Sequence, residues 1–407
     1  MKLSPDIVAR GLVRHWNYFS HHIIASPGCA HPMQACFEEA YVVMGAARTM
    51  ALLDDARMTA IVRRFNGRMM EYQGVHHPDM FDMGYGYRFD DKGVVSCSCV
   101  ADNASTANGM LEGVRNFPHL PENPKVLASV KRYIDHCLGN YVTDKGVMGV
   151  GILDHQVNPK GMQEYWCADA LFAATLIRYA DLTGETKYYD VAVPMVEYIA
   201  TFDYKNTLWE EWTKAGPQQM LIYAGEGVVA ALASKEMNKR LERPLHNVIQ
   251  FSPKADPEKV VPAQAPNLIE AELQTVAKSQ GDTIWSRLQG RWAEFADWFH
   301  QNQMSEGMFE HPANDHFRCY EPSFAWLMLE AVNHIEGYGW LESVAAKQLR
   351  LMAGDGGKLY YGLRANDFAS GLALLSFATA GQILRQRDAE AWTAAVQGVF
   401  DRSEEIW

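Results

Sequence analysis

The chain alternates six times between two kinds of helical segment, and this alternation limits what it can fold into more than any single motif does. One kind is small-residue-rich and apolar nearly all round: EEAYVVMGAARTMALL, DNASTANGMLEGV, WCADALFAATLIRYA, YAGEGVVAALAS, SFAWLMLEAVNHI and DFASGLALLSFATAGQIL. A helix without a polar face has to be buried on all sides. The other kind keeps its charges on one face: ARMTAIVRRFNGRMMEY, NPKVLASVKRYIDHCL, ETKYYDVAVPMVEYIATF, TIWSRLQGRWAEFADWF, GWLESVAAKQLRLM and DAEAWTAAVQGVF. Such helices suit an outer layer with one wet side. The pattern predicts an all-α fold, a single domain over 1–407 built as an (α/α)6 barrel, which is a toroid of six helical hairpins. Pro5 to Phe19 reads as an extra helix closing or capping the ring. The stretch at about 238–281 breaks the period and reads as an irregular insertion, with NLIEAELQTVAKSQ helical inside it.

The connections orient the ring. Links from an apolar to an amphipathic helix are short (LTGET, LPENP, QRD), as antiparallel neighbours require. The return links are long and rich in Gly and aromatics, and long links gathered at one end of a rigid scaffold are where a site is built.

Composition removes several functions. A net charge of −12 with no basic run argues against nucleic acid as a partner, and equally against an anionic membrane surface. No apolar run approaches the roughly 18 residues of a membrane span. The opening MKLSPDIVARGLVRHW carries Asp6, Arg10 and Arg14 where a signal peptide needs apolar residues, so a cytoplasmic location is expected. The 7 cysteines are scattered through apolar segments (Cys36, Cys137, Cys167), as reduced buried thiols are. Cys97 and Cys99 stand too close for the usual zinc spacing, so neither metal nor cofactor is expected.

Aligned by their first turns, the apolar helices each begin near an acid: Glu38 or Glu39, Asp102, Asp169, Glu226, Glu321 and Asp367. Acids in first turns can simply cap helices and answer the helix dipole. The same turns also carry Tyr165, Trp166, Tyr223, Tyr320 and Phe324, and the links add Tyr85, Tyr87, Tyr360 and Tyr361. Aromatic faces beside carboxylates suit a sugar ring, whose C–H faces stack and whose hydroxyls need acceptors. Asp169 lies one turn inside an apolar helix, where burial would raise its pKa towards that of a general acid.

The segment from Val100 to Ile199 resembles glycoside hydrolase families 88 and 105, the unsaturated glucuronyl and rhamnogalacturonyl hydrolases. The likeness lies in Asp102 ahead of Gly109, in Trp166, Asp169, Leu171 and Phe172, and in ATLIRYADLTGETKYYDVAV. No W-x-R-G-N-G-W run is present, and Ala168 stands before Asp169 where a second acid is frequent. The resemblance implies a hydrolase for a short oligosaccharide, one that hydrates a 4,5-unsaturated uronyl residue by protonating C4 and adding water at C5. It implies Asp169 as acid/base and Asp102 as the group that orients it or the ring. Tyr165, Trp166, Tyr223, Glu226, Glu321 and Asp367 would bind substrate, with Arg318 and Arg364 meeting its carboxylate. Three other readings share the barrel: a glycosidase for saturated sugars, an epimerase or polysaccharide lyase using His311 and His316, and a non-enzymatic helical scaffold. A homo-oligomer is compatible with all of them.

Overall fold

The computed structural model describes residues 2–25, 36–75, 77–81, 88–90, 93–95, 99–148, 165–202, 217–245, 249–250, 274–275, 282–309, 320–354 and 367–402. Its helices are α1 (Pro5–Ala25), α2 (Cys36–Leu53), α3 (Ala56–Tyr72), α4 (Val100–Asn116), α5 (Asn123–Asn140), α6 (Tyr165–Thr183), α7 (Lys187–Thr201), α8 (Pro217–Ala233), α9 (Lys235–Leu241), α10 (Ile284–Asn302), α11 (Pro322–His334), α12 (Leu341–Ala353), α13 (Asp367–Arg387) and α14 (Ala389–Asp401). Among the described residues, strands are confined to two small antiparallel pairs: β1 (Arg88–Asp90) with β2 (Gly93–Val95), and β3 (Ile249–Gln250) with β4 (Gln274–Thr275). The chain is all-α, and every segment of the twelve-helix alternation is helical. None of the described helices is long and apolar enough to cross a membrane.

The apolar helices pack in a closed circuit: α2 on α4, α4 on α6, α6 on α8, α8 on α11, α11 on α13, and α13 back on α2. Small residues set how near these neighbours come. A Cβ on Gly109 would stand 2.9 Å from the Cα of Ala40, and one on Gly227 would stand 2.3 Å from the carbonyl oxygen of Ala170. Backbone meets backbone at these points, which explains why these segments are rich in Gly, Ala and Ser. Tyr41 beside Ser105 (3.3 Å) and Arg48 beside Glu112 (2.7 Å) show α2 and α4 running in the same direction.

The amphipathic helices lie outside this circuit: α3 on α2, α5 on α4, α7 on α6, α10 on α7 and α8, and α12 on α11. The sequence pattern assigns the sixth outer place to α14 and leaves α1 as an extra helix closing or capping the ring. Packing reverses those roles, because α1 lies against α13 and reaches α12 and α3, whereas α14 lies on α1 and α13. Fit is the reason. Gly11 lets α1 close on Phe377, whose ring would be 2.2 Å from a Cβ there, and Val8, Leu12 and Trp16 are buried with it.

Short turns follow α2, α4, α6, α11 and α13. Asp55 caps α3 by accepting the Arg57 amide (2.9 Å), and Asp388 caps α14 by accepting the Ala391 amide (2.9 Å). Gly184, at φ 75°, makes the left-handed step between α6 and α7. The insertion leaves and returns at this same end, where Pro244 bridges Thr283 and the Ile284 amide donates to the Arg243 carbonyl (3.0 Å). Within it, the helix expected over NLIEAELQTVAKSQ is overturned at Gln274–Thr275, which pairs with Ile249–Gln250. A partner strand supplied from the other side of the insertion outweighs local helical propensity there; the rest of that stretch lies outside the described residues.

Candidate functional site

The long links begin at the other end, and three of them begin with turns that close in the same way. After α3, α5 and α10 the chain forms isolated bridges, Gln73 with Phe81, Val142 with Met148, and Gln303 with Phe309. In each turn the residue after the first bridge partner donates its amide to the carbonyl just before the second: Gly74 to Met80 (2.9 Å), Thr143 to Val147 (2.8 Å) and Met304 to Met308 (2.8 Å). In each, the residue two places before the end has positive φ: Asp79 at 57°, Gly146 at 80° and Gly307 at 111°. Each turn also rests on the next outer helix. Gln73 donates to the Ser129 carbonyl (2.9 Å), a Cβ on Gly146 would meet the Pro194 ring at 2.8 Å, and Gln303 donates to the Val344 carbonyl (2.8 Å).

The amide that ends each turn is received at the start of the following inner helix. Phe81 N–H donates to Asn103 Oδ1 (2.5 Å), Met148 N–H to Asp169 Oδ1 (2.9 Å), and Phe309 N–H to Glu321 Oε1 (2.8 Å). The donors are buried, at 1%, 1% and 0% exposure, and so are their acceptors. Sequence alignment by helix starts matched Asp102 with Asp169. The hydrogen bonds correct this by one residue, because Asn103, Asp169 and Glu321 hold one place, which makes Asp102, Ala168 and Tyr320 equivalent to one another. Asp102 and Tyr320 are half-buried, while Ala168 is fully buried.

Asp169 is 0% exposed, and its Oδ2 has no hydrogen-bond partner among the described residues. Burial pushes its carboxyl well above the ordinary aspartate range, with the Met148 amide pulling the other way. The upward direction is the one expected from the sequence, but the side chain that carries it is fully buried.

Glu226 is not in a first turn. Helix α8 begins at Pro217, so Glu226 is its tenth residue and lies inside the ring. There it pairs with Arg178 and accepts from the Tyr41 hydroxyl (3.2 Å). Arg48 pairs with Glu112 (2.7 Å) and with Glu330, donates to Thr379 (2.9 Å), and lies over the Trp326 ring. Burial alone would raise the Glu112 carboxyl, but Arg48, then Arg115 and Arg178, outweigh it and bring it to about 2. The Glu330 carboxyl is also held low: burial raises it, and Arg48 and His334 overcome that. Together these contacts join α2, α4, α6, α8, α11 and α13. The sequence reading missed them because Arg48, Glu112, Arg178 and Glu330 each look like a lone charge near the end of an apolar helix.

Of the other expected site residues, Asp367 opens α13, and Tyr165 and Trp166 open α6. The side chains of Asp367, Tyr165, Trp166 and Tyr223 lie outside the described residues, as do Arg318, Arg364, His311, His316, Tyr85, Tyr87, Tyr360 and Tyr361. Glu39 is tied to Arg68 (3.1 Å). No three His, Cys, Asp or Glu side chains cluster as metal ligands among the described residues. Cys137 and Cys167 are buried thiols. No known family and no curated protein matches the chain, so its site is read from its own geometry.

Proposed function

We propose that the chain is a single-domain (α/α)6-barrel glycoside hydrolase acting on a short, uronic-acid-containing oligosaccharide, with its site at the end where the long links begin. One observation carries this reading: a closed circuit of six inner helices whose starts share that end, with Asp102 half-buried in the first turn of α4. A group that gives a proton to substrate has to reach it. Asp169 is enclosed, so the proposal gives proton delivery to Asp102 and a supporting place to Asp169. On a 4,5-unsaturated uronyl residue, the Asp102 carboxyl would protonate C4 of the vinyl ether. Water would then add at C5, returning a proton to the carboxylate, and the hemiketal would collapse to release the sugar.

The buried ion pairs favour one competing reading, a helical scaffold, because they tie the inner helices to one another. A single assay separates the two. An unsaturated uronyl disaccharide should lose its ultraviolet absorbance in the presence of the protein, and Asp102→Asn should slow that loss by the roughly 10²–10⁴-fold typical of a missing general acid. Absorbance that rises on a uronic-acid polymer would identify a lyase. Release of sugar only from saturated glycosides would identify an ordinary glycosidase, and inactivity on all three would favour the scaffold.

A further inference from the structure

Three side chains of different chemistry hold one position in the fold. Asn103, Asp169 and Glu321 each accept the backbone amide that ends a turn closed in the same way: a cross-turn amide-to-carbonyl bond, a positive-φ residue two places before the end, and a contact with the next outer helix. Coincidence of one carboxylate with one amide would mean little. Recurrence in three hairpins, with a neutral carboxamide in one of them, separates what the position requires from what a carboxyl could additionally do. The position requires an acceptor oxygen. It does not require a transferable proton, because Asn103 has none.

We infer that Asn103, Asp169 and Glu321 are three copies of one latch that fixes the first turn of three long links to the inner helices they lead into. A buried N–H left without an acceptor is costly, so each latch ties the link's path to the start of its helix. Asp102 lies one residue before the Asn103 latch and Tyr320 one residue before the Glu321 latch. The latches therefore also fix where these two half-buried side chains stand.

The latch is read from exchange of the amide it holds, without any substrate. In peptide-resolved hydrogen exchange at neutral pH, Asp169→Leu should speed exchange at the Met148 amide by about tenfold or more, the loss expected for one local hydrogen bond. Asp169→Asn, which installs the group that position 103 already carries, should stay within about threefold of the parent. Exchange in Asp169→Asn as fast as in Asp169→Leu would show that the carboxyl itself is needed and overturn the inference. Unchanged exchange in Asp169→Leu would show that no latch exists. Should Asp169→Leu fail to fold, Glu321→Gln against Glu321→Leu at the Phe309 amide asks the same question, and Asn103→Asp should preserve protection at Phe81. The inference rests on geometry rather than on the hydrolase reading. Failure of the disaccharide assay leaves it standing, and failure of the exchange test leaves the hydrolase reading standing.

Discussion

His15 gives the sharpest test of the packing of α1. It is 6% exposed, its Nδ1 lies 2.9 Å from the Gly11 carbonyl, and its ring lies 5.1 Å from that of Phe377. Burial lowers its pKa from 6.5 to about 4, with the Gly11 hydrogen bond opposing and the Arg14 charge assisting. Below pH 6.5 the unfolded chain takes up a proton at this residue that the folded chain refuses until pH nears 4. Its contribution to stability is therefore complete above pH 6.5 and is lost as pH falls through that window. At about 1.4 kcal/mol per unit of pKa difference, lowering the pH from 7 to 4.5 should cost about 2–3 kcal/mol through this one side chain. His15→Leu has no ionisable group, and α1 keeps its own backbone ladder at Gly11. Urea unfolding of both proteins at pH 7 and pH 4.5 isolates the term, because every other titration cancels in the difference. The variant should gain on the parent by that amount at the lower pH. Equal pH dependence in the two would mean that His15 is hydrated or ion-paired, and that α1 does not hold the sixth outer place.

Arg48→Met leaves Glu112 and Glu330 buried without their shared cation, so unfolding free energy should fall by about 3–5 kcal/mol in urea at pH 7; a loss below about 1 kcal/mol would show that the ring interior is wet. Gly227→Ala drives a Cβ to 2.3 Å from the Ala170 carbonyl oxygen, so α6 and α8 must separate. The expected cost is about 1–3 kcal/mol, against the slight stabilisation an exposed helical Gly→Ala would give, and thermal melting distinguishes the signs.

The sequence by itself determined the twelve alternating helices and which six of them are inner. Apolar periodicity is a local property, and a segment such as WCADALFAATLIRYA has no wet face in any arrangement, so it must be inside. Link lengths are local too, and they gave the end where the site is expected. Tertiary structure decided the rest. Whether α1 or α14 closes the outer layer depends on Gly11 meeting Phe377, two residues more than 360 positions apart. Whether Glu226 faces a mouth or an interior depends on where α8 begins and on Arg178 across the ring. The register of the acids shows the difference most plainly. Asp102 and Asp169 look equivalent when helices are aligned by their starts, and they separate once the amides of Phe81 and Met148 choose Asn103 and Asp169. A recurring sign was present in Asp79-Met80-Phe81, Gly146-Val147-Met148 and Gly307-Met308-Phe309. Its meaning required the hydrogen bonds, because a helix start can vary by a residue or two whereas a buried amide needs one particular acceptor.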